Sequence, residues 1–249
     1  MEFEIHVDDV KFLRGCVDAI VNLIEEGTLE LGGDVMSVKA MDPSQIAMVV
    51  FSAPKDAFSG YKVGSSERLG INFADLGKIL GRARAKDKLS ITKEENKLVL
   101  EFAGAGAKRR FSVPLLDNTG SVQREPKVEH DASVKMRGGD FKEMLRDVAL
   151  VSSHVMLQAK GKEFAVNAKG DSAEMHSVSE KGEKGELEVT VKAEARATFP
   201  LQYLDDITKA CPDEVPITLN LRTNAPLKLS YGIGKASLVY YLAPRIEGD

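Results

Sequence analysis

The sequence predicts an α+β protein of two similar domains, each a duplicated β-α-β-β-β unit with helices on one face and antiparallel sheets on the other. A short alternating strand followed by an amphipathic helix occurs four times. The strands begin near Phe3, Leu69, Ser133 and Arg196, a period of roughly 65 residues that is longer than a solenoid repeat. Alternating strands follow the helices, and 249 residues are enough for two ordinary domains.

The four repeats can be placed along the chain. Helices are predicted, one in each repeat, over residues 9–25, 75–85, 140–151 and 201–210. Strands are predicted over residues 3–7, 35–40, 46–51, 69–73, 88–92, 97–102, 107–113, 133–136, 196–199, 217–221, 227–231 and 238–242. Asp8 or Asp9 can cap the first helix and Gly27 can end it, while Pro212 stops the fourth. Gly32 and Gly33 predict a hairpin turn.

A polar segment divides the chain. Residues 117–128 hold Gly and Pro and show no usable periodicity, which predicts a connector between a first domain of residues 1–116 and a second of residues 129–249. A second polar stretch, Ser179–Glu186, predicts a loop inside the second domain.

Composition limits the function. The chain is 43% hydrophobic and 29% charged, which are globular values. No apolar run approaches the roughly 18 residues of a membrane span, and the N-terminus lacks a signal-peptide pattern. Cys16 and Cys211 lie far apart in helix patterns, so both are predicted to be buried and reduced. The net charge of −4 argues against binding of nucleic acid, but it is only the sum over the whole chain. Whether the protein can bind nucleic acid depends on where the positive charges lie.

Each predicted helix turns at least one cation away from its own sheet. These cations are Lys11, Arg14, Lys78, Arg82, Lys142, Arg146 and Lys209. If the four helices line one surface, that surface is basic inside an acidic protein. The alternative is an ordinary solvated face, because Lys and Arg are good helix formers. Glu143, Asp205 and Asp206 dilute the basic stripe.

No motif in the sequence indicates catalysis. The glycine-rich stretch Gly232–Ser237 lacks the spacing of a phosphate loop and predicts a hairpin turn, and Gly104–Gly106 predicts another turn. The four histidines are scattered, with no HExxH or CxxC pattern. The sequence therefore predicts no enzyme, no cofactor and no metal site.

Several segments resemble one family in order along the chain. The C-terminal sequence Leu238–Glu247 closely resembles the last strand and tail of the archaeal and eukaryotic sliding clamp family, proliferating cell nuclear antigen. Further segments that are similar to this family are Met41–Ile46, Ile71–Phe73 with Leu76 and Lys78–Leu80, Phe141 with Arg146–Asp147, and Tyr203–Leu204 with Thr208–Ala210.

The resemblance implies the DNA clamp fold and a homotrimer closed head to tail into a ring, with helices lining the hole. Such a ring is a DNA polymerase processivity factor that encircles duplex DNA without sequence specificity. The implied partners are a clamp loader, and a DNA polymerase, a flap nuclease and a ligase through short peptide motifs, with no membrane. The implied location is the cytoplasm, on the nucleoid, in an archaeon, or the nucleus in a eukaryote. Alternatives are a subunit of a heteromeric clamp or an enzyme of duplicated α+β fold.

The resemblance also implies site residues. DNA-facing positions are Arg14, Lys78, Arg146 and Lys209, followed by Lys11, Arg82, Arg84 and Lys142. The subunit interface pairs strand 107–113 with strand 174–180 and comprises Lys108, Arg109, Arg110, Phe111, Glu174, Met175, Val178, Glu143 and Asp147. The partner-peptide pocket comprises Met41, Gln45, Ile46, Met48, Val122, Pro126, Pro226, Tyr241, Leu242, Ala243 and Pro244.

Three alternatives stay open at these positions. A cationic edge strand can simply prevent aggregation, whereas opposite charge on the predicted partner strand favours an interface. Met48 and Leu242 can be ordinary core residues. Arg82 and Arg84 face either the DNA or Glu143 and Asp147 of the neighbouring subunit.

Overall fold

A computed structural model describes residues 3–104, 106–117, 124–180 and 187–245 of the chain. The chain divides into two compact units. Unit 1 comprises Met1–Pro43, Val49–Gln123 and Ile233–Leu238, and unit 2 comprises Ser44–Met48, Arg124–Gly232 and Val239–Asp249.

The described residues form four α-helices and eighteen strands. The helices are α1 (Val10–Val21), α2 (Phe73–Leu80), α3 (Gly138–Ala149) and α4 (Leu201–Lys209). The strands are β1 (Phe3–Val7), β2 (Glu26–Leu31), β3 (Val35–Met41), β4 (Ala47–Pro54), β5 (Gly60–Val63), β6 (Glu67–Asn72), β7 (Lys88–Glu94), β8 (Lys97–Gly104), β9 (Ala107–Pro114), β10 (Ala132–Arg137), β11 (His154–Lys160), β12 (Glu163–Lys169), β13 (Glu174–Glu180), β14 (Leu187–Val191), β15 (Ala195–Pro200), β16 (Pro216–Leu221), β17 (Leu227–Ile233) and β18 (Ala236–Leu242).

The predicted repeat is present four times. Its copies are β1-α1-β2-β3-β4, β6-α2-β7-β8-β9, β10-α3-β11-β12-β13 and β15-α4-β16-β17-β18, with β5 and β14 as additions. The fold class predicted from the sequence is therefore confirmed.

The two repeats of each unit exchange their first strands. In unit 1, β1 pairs antiparallel with β7 of the second repeat, and β6 pairs with β2 of the first. In unit 2, β10 pairs with β16, and β15 pairs with β11. The resulting strand orders are β5-β1-β7-β8-β9 and β4-β3-β2-β6 in unit 1, and β13-β12-β11-β15 and β14-β10-β16-β17-β18 in unit 2.

The helices form where capping and an apolar stripe coincide. The Asp9 carboxylate accepts hydrogen bonds from the amides of Lys11 at 3.0 Å and Phe12 at 3.4 Å, which confirms it as the N-cap of α1. The stripe containing Leu13 and Ile20 is buried among the strands of unit 1. Within their units, α1 packs against α2 and α3 packs against α4.

Helix ends differ from the prediction. Helix α1 ends at Val21 rather than Glu25, and the chain continues through one more turn, in which the Ile24 amide donates to the Ile20 carbonyl at 3.0 Å, before β2 begins at Glu26. Gly27 does not end the helix; it lies in β2 opposite Ile71 of β6. Pairing with a strand distant in sequence thus decides where this helix stops.

Other local predictions are confirmed or fall outside the described residues. The Gly32 amide donates to the Val35 carbonyl at 2.8 Å in the β2–β3 turn, and both cysteines are buried and free. The predicted loop 179–186 begins later than expected because β13 extends to Glu180, and residues 181–186 lie outside the description.

Candidate functional site

The cations on the helices of unit 1 are exposed. On α1, the Nε of Arg14 lies 3.5 Å from the carboxylate of Asp18 one turn later. On α2, the Nζ of Lys78 donates to Asp75 at 2.8 Å, and this hydrogen bond and charge raise the pKa of Lys78. Water screens both pairs, so they are weak. Lys11 is also exposed and has no ion-pair partner among the described residues.

Arg82 and Arg84 follow α2 in a loop that a buried carboxylate holds. Asp87 is 5% exposed; it accepts a hydrogen bond from the Arg84 amide at 2.6 Å and pairs with the guanidinium of Arg109 on β9. Arg109 also donates to the Arg82 carbonyl at 2.9 Å. A Cβ atom at Gly104 would lie 2.4 Å from Oδ1 of Asp87, so β8 needs a glycine there. The loop presents both arginine side chains to solvent.

The cations predicted on α3 have close partners within unit 2. Lys142 donates to the Cys211 carbonyl and to the Asp213 carboxylate, each at 2.6 Å, and its side chain is only 17% exposed. This hydrogen bond lowers the pKa of Asp213. Arg146 pairs with Glu143, one turn earlier on the same helix. The structure therefore gives Lys142 a role in joining α3 to the end of α4.

Helix α4 adds more negative charge than positive charge to this surface. Burial raises the pKa of Asp205, the neighbouring Asp206 raises it further, and Arg146 opposes both effects. Lys209 is exposed at the end of the helix and has no ion-pair partner in the described ranges.

The strands predicted to pair between subunits both lie at sheet edges. Within the described sheets, β9 pairs only with β8, and β13 pairs only with β12. An edge strand leaves backbone N–H and C=O groups unpaired, so it can accept a strand from another chain. One edge belongs to unit 1 and the other to unit 2.

Side chains on β9 alternate between the two faces of the sheet. On the helix face, the Phe111 ring contacts the Phe102 ring edge-on at a centroid distance of 5.8 Å, and the Arg109 guanidinium lies 5.2 Å from the same Phe102 centroid. On the outer face, away from the helices, Lys108 pairs with Glu101 at 3.2 Å, and Arg110 pairs with Glu94 on β7. All three cations of this edge thus have partners within unit 1.

The opposite edge is acidic and partly apolar. On β13, Glu174 lies 3.1 Å from the ammonium of Lys169, Met175 is half-buried, and Val178 is 43% exposed. These features agree with the predicted interface. The cations of β9, which are paired with carboxylates of unit 1, agree equally with an edge strand that is protected from aggregation. The interface assignment stays a prediction.

Sequence reasoning missed Leu150. This residue caps the C-terminus of α3 with its side chain 85% exposed, far more than any other large apolar side chain in the described ranges. Helix α3 packs on β13, the edge strand of unit 2. Its position could have been found from the sequence, because Leu150 lies off the stripe formed by Phe141 and Val148.

Tyr241, a residue of the predicted partner-peptide pocket, is held in place by contacts within unit 2. The ring is 6% exposed, and its hydroxyl donates to the carboxylate of Glu125 at 3.1 Å. Burial and the Glu125 charge raise the pKa of Tyr241. The ammonium of Lys228 lies 5.8 Å from the ring centroid. Because Glu125 belongs to the predicted connector, the connector is joined here to the last strand.

The other predicted pocket residues differ in exposure. Gln45 is exposed with a left-handed φ of 58°, and the Ala243 amide donates to the Ile46 carbonyl at 2.9 Å. Met48 and Leu242 are 3% and 0% exposed, as the core alternative requires, so they offer a peptide no surface. Half-buried residues of the set are Met41 in unit 1 and Ile46, Pro126, Pro226, Ala243 and Pro244 in unit 2. Val122 lies outside the described residues.

Two features are absent from the described residues. No helix there is long and apolar enough to span a membrane. No group of three or more His, Cys, Asp or Glu side chains there is arranged to hold a metal ion.

Comparison with known proteins gives a consistent result over the whole chain. Residues 2–113 match the family model of the proliferating cell nuclear antigen (PCNA) N-terminal domain, and residues 124–246 match that of its C-terminal domain. The DNA polymerase sliding clamp of Thermococcus gammatolerans is 34% identical over 249 residues, which cover 99% of this chain and 100% of the relative. That of Methanococcus maripaludis is 34% identical over 237 residues, covering 93% and 94%.

Solved structures share the fold. PCNA from Thermococcus kodakaraensis superimposes with a TM-score of 0.92 at 24% identity, covering 98% of this chain and 100% of that one. A. fulgidus PCNA, solved with the C-terminal region of FEN-1 bound, has a TM-score of 0.90 at 27% identity, covering 99% and 100%. Full-length identity above 30% and matches to both domain models place this chain in the PCNA family of DNA polymerase sliding clamps.

Proposed function

We propose that this chain is a DNA polymerase sliding clamp, a non-catalytic processivity factor whose three copies close into a ring around duplex DNA. The observation that carries the proposal is the pair of free sheet edges, β9 in unit 1 and β13 in unit 2. Two different edges on one chain make head-to-tail contacts, and such contacts generate a ring when the rotation closes. The domain boundaries 1–116, 117–128 and 129–249 belong to the same proposal.

The two edges are complementary in charge and apolarity. On the outer face, Lys108 and Arg110 of one chain would meet Glu174 of the next. On the helix face, Phe111 would meet Met175. Leu150, at the end of the helix that packs on β13, would be covered by the neighbouring chain. Contact with Glu174 of the neighbouring chain would compete with the pairs that Lys108 and Arg110 form with Glu101 and Glu94 inside unit 1.

The same pairing favours the neighbouring subunit as the contact of Arg82 and Arg84. Their loop lies over β9, because Arg109 of that strand binds the Arg82 carbonyl. Helix α3, with exposed Glu143 and Asp147, lies over β13. Joining the two strands brings the loop to α3 of the next chain. We therefore assign Arg82 and Arg84 to the interface and not to DNA.

Holding DNA then requires little affinity. A closed ring retains the duplex by topology, so weak contacts from lysine and arginine to phosphate are sufficient, and such contacts carry no sequence information. Replication and repair proteins would be tethered by short peptides. The A. fulgidus relative binds the C-terminal region of FEN-1, and the half-buried residues Ile46, Pro226 and Ala243 suit aromatic or aliphatic anchors of such a peptide. Because the relatives named above are archaeal, we propose that the protein acts on the nucleoid.

A retention experiment tests this function. The purified chain, with a clamp loader and ATP, is expected to load onto nicked circular DNA and to remain bound through gel filtration at high salt. Linearising the same DNA should release it, because a ring slides off free ends. Equal loss from circular and linear DNA would remove the proposal. Failure of the chain alone to form a ring in light scattering would point to the heteromeric alternative.

Ile46→Asp is expected to weaken binding of a FEN-1-type C-terminal peptide about tenfold or more, since a carboxylate replaces an apolar contact. Calorimetry measures the affinity. Tyr241→Phe is the matched control: it removes the hydrogen bond to Glu125 and keeps the apolar ring. Wild-type affinity in folded Ile46→Asp would exclude this pocket.

A further inference from the structure

We propose that Lys228 makes the partner-peptide pocket selective for peptides that carry an aspartate or glutamate next to their apolar anchors. Lys228 lies on β17, two residues after Pro226 of the predicted pocket, and is not among the residues that the family resemblance implies for that pocket. The inference rests on the proposed tethering of replication and repair proteins by short peptides. It goes further because it names the charge that such a peptide should carry.

Lys228 lies on the face of β17 that points away from the core of unit 2. Burial alternates from Pro226 into the strand: Pro226 and Lys228 are half-buried, whereas Leu227 and Leu229 are fully buried. Side chains two residues apart in an extended chain point to the same face. The Lys228 ammonium lies 5.8 Å from the ring centroid of Tyr241, a second residue of the predicted pocket. The ammonium is therefore positioned beside the unit 2 part of this pocket.

No carboxylate lies within ion-pair distance of Lys228 in the described part of the chain. Its cross-strand neighbour on β16 is the uncharged Asn220, and Ser230 is the next residue on the same face of β17. A half-buried ammonium has lost part of its hydration, and no opposite charge compensates for that loss here. A carboxylate from a bound peptide would compensate for it through a charge-assisted hydrogen bond.

Nearby charges in unit 2 do not balance Lys228. Asp131 lies 3.8 Å from the Nε of Arg222, which is its ion-pair partner. Burial lowers the pKa of His130, and Lys228 and Arg222 lower it further against the opposing charge of Asp131, so this ring is neutral at pH 7. Within this group of described residues, Lys228 is therefore the one cation that lacks a carboxylate partner.

Glu125 and Lys228 contact the same tyrosine with opposite charges. Glu125 alone would favour a basic peptide, but it is exposed and its carboxylate already accepts the hydrogen bond of the Tyr241 hydroxyl. Water therefore screens its effect on a peptide. Lys228 is half-buried and unpaired, so a charge placed beside it interacts more strongly. The preference that results is for an acidic residue.

A charge scan of the peptide tests the selectivity on the assembled full-length protein. The probe is the FEN-1-type C-terminal peptide, made with Asp, Asn or Lys at each position between and beside its apolar anchors in turn. Calorimetry should show a position at which the Asp version binds about five- to tenfold more tightly than the Asn version. High salt should reduce this preference, because ions screen the pair. Equal affinities of the Asp and Asn versions at every position would overturn the inference.

Variants at Lys228 assign the preference to this side chain. Lys228→Gln should bring the affinities of the Asp and Asn versions to within about twofold, and Lys228→Glu should favour the Lys version instead. Arg222→Gln is the matched control, because it removes a neighbouring cation that Asp131 already pairs, and it should keep the wild-type preference. A preference that survives in Lys228→Gln, or that is lost equally in Arg222→Gln, would show that Lys228 does not read the charge.

Further measurements separate selectivity from stability and from the proposed function. Lys228→Met keeps an apolar stem beside the Tyr241 ring, so it replaces Lys228→Gln if that variant unfolds. Lower stability of a Lys228 variant with unchanged peptide preference would mean that the lysine only covers the tyrosine, and the inference would fail. If the wild type binds every version of the peptide equally, this inference alone fails. If it binds no version, the proposed tethering by such peptides fails as well.

Discussion

Leu150→Asp is expected to separate the ring into single chains at concentrations where the wild-type protein stays assembled. The side chain is 85% exposed in the single chain, on the helix that packs on the edge strand β13. Burying a leucine contributes about 1.5–3 kcal/mol. Its loss, with a buried carboxylate in its place, should raise the dissociation constant of each interface at least about 100-fold, since 1.4 kcal/mol is tenfold.

Sedimentation over a dilution series gives the assembly state directly. Leu150→Met is the matched control, because it keeps an apolar side chain of similar volume. An exposed position contributes little to the folding of the single chain, so both variants should keep the circular dichroism spectrum of the folded wild type. A Leu150→Asp ring that survives at the lowest concentration would show that this residue lies outside the interface.

Asp87→Ala is expected to destabilise unit 1 by about 3–5 kcal/mol, the usual cost of removing one partner from a buried ion pair. The Asp87 side chain is 4% exposed and that of Arg109 is 21% exposed. The substitution leaves the Arg109 guanidinium without its carboxylate and the Arg84 amide without its acceptor. Urea denaturation followed by circular dichroism measures the free energy of unfolding.

Two further variants isolate the cause. Glu94→Ala breaks the exposed pair with Arg110 and should cost no more than about 1 kcal/mol. Combining Asp87→Ala with Arg109→Met should recover much of the stability, because an apolar replacement of both partners leaves no unpaired charge. If Asp87→Ala costs no more than Glu94→Ala, the buried pair does not stabilise the loop.

Local patterns predicted the repeat well. The stripe of α3 and the alternation of β17 are set by residues close in sequence, so the four strand–helix starts could be found without a structure. Strand β12 was not predicted; Phe164, Ala165 and Val166 are buried in succession there, and period-two alternation is absent. The exchange of first strands joins residues far apart, such as Ile5 and Ile91, and no local pattern encodes it.

The surfaces were predicted less completely than the elements. Helical periodicity placed Lys142 on a polar face, but its partner Asp213 lies 71 residues away, and that interaction makes it a residue of the helix junction. Arg109 was predicted to lie at the subunit interface. In the structure its guanidinium binds Asp87 and the Arg82 carbonyl, and these contacts hold the loop after α2. Leu150 was missed although it lies off the apolar stripe of α3, because an isolated leucine at a helix end is ordinary.

The exchange of first strands bears on how such a chain could have arisen. A polypeptide with one repeat would lack the strand that completes its own sheet, since β7 needs β1 and β2 needs β6. Two copies could satisfy each other by swapping that strand, which is a low-cost route to a dimer. Each unit is therefore the covalent counterpart of a swapped dimer, because fusing the copies would turn a concentration-dependent association into an intramolecular one.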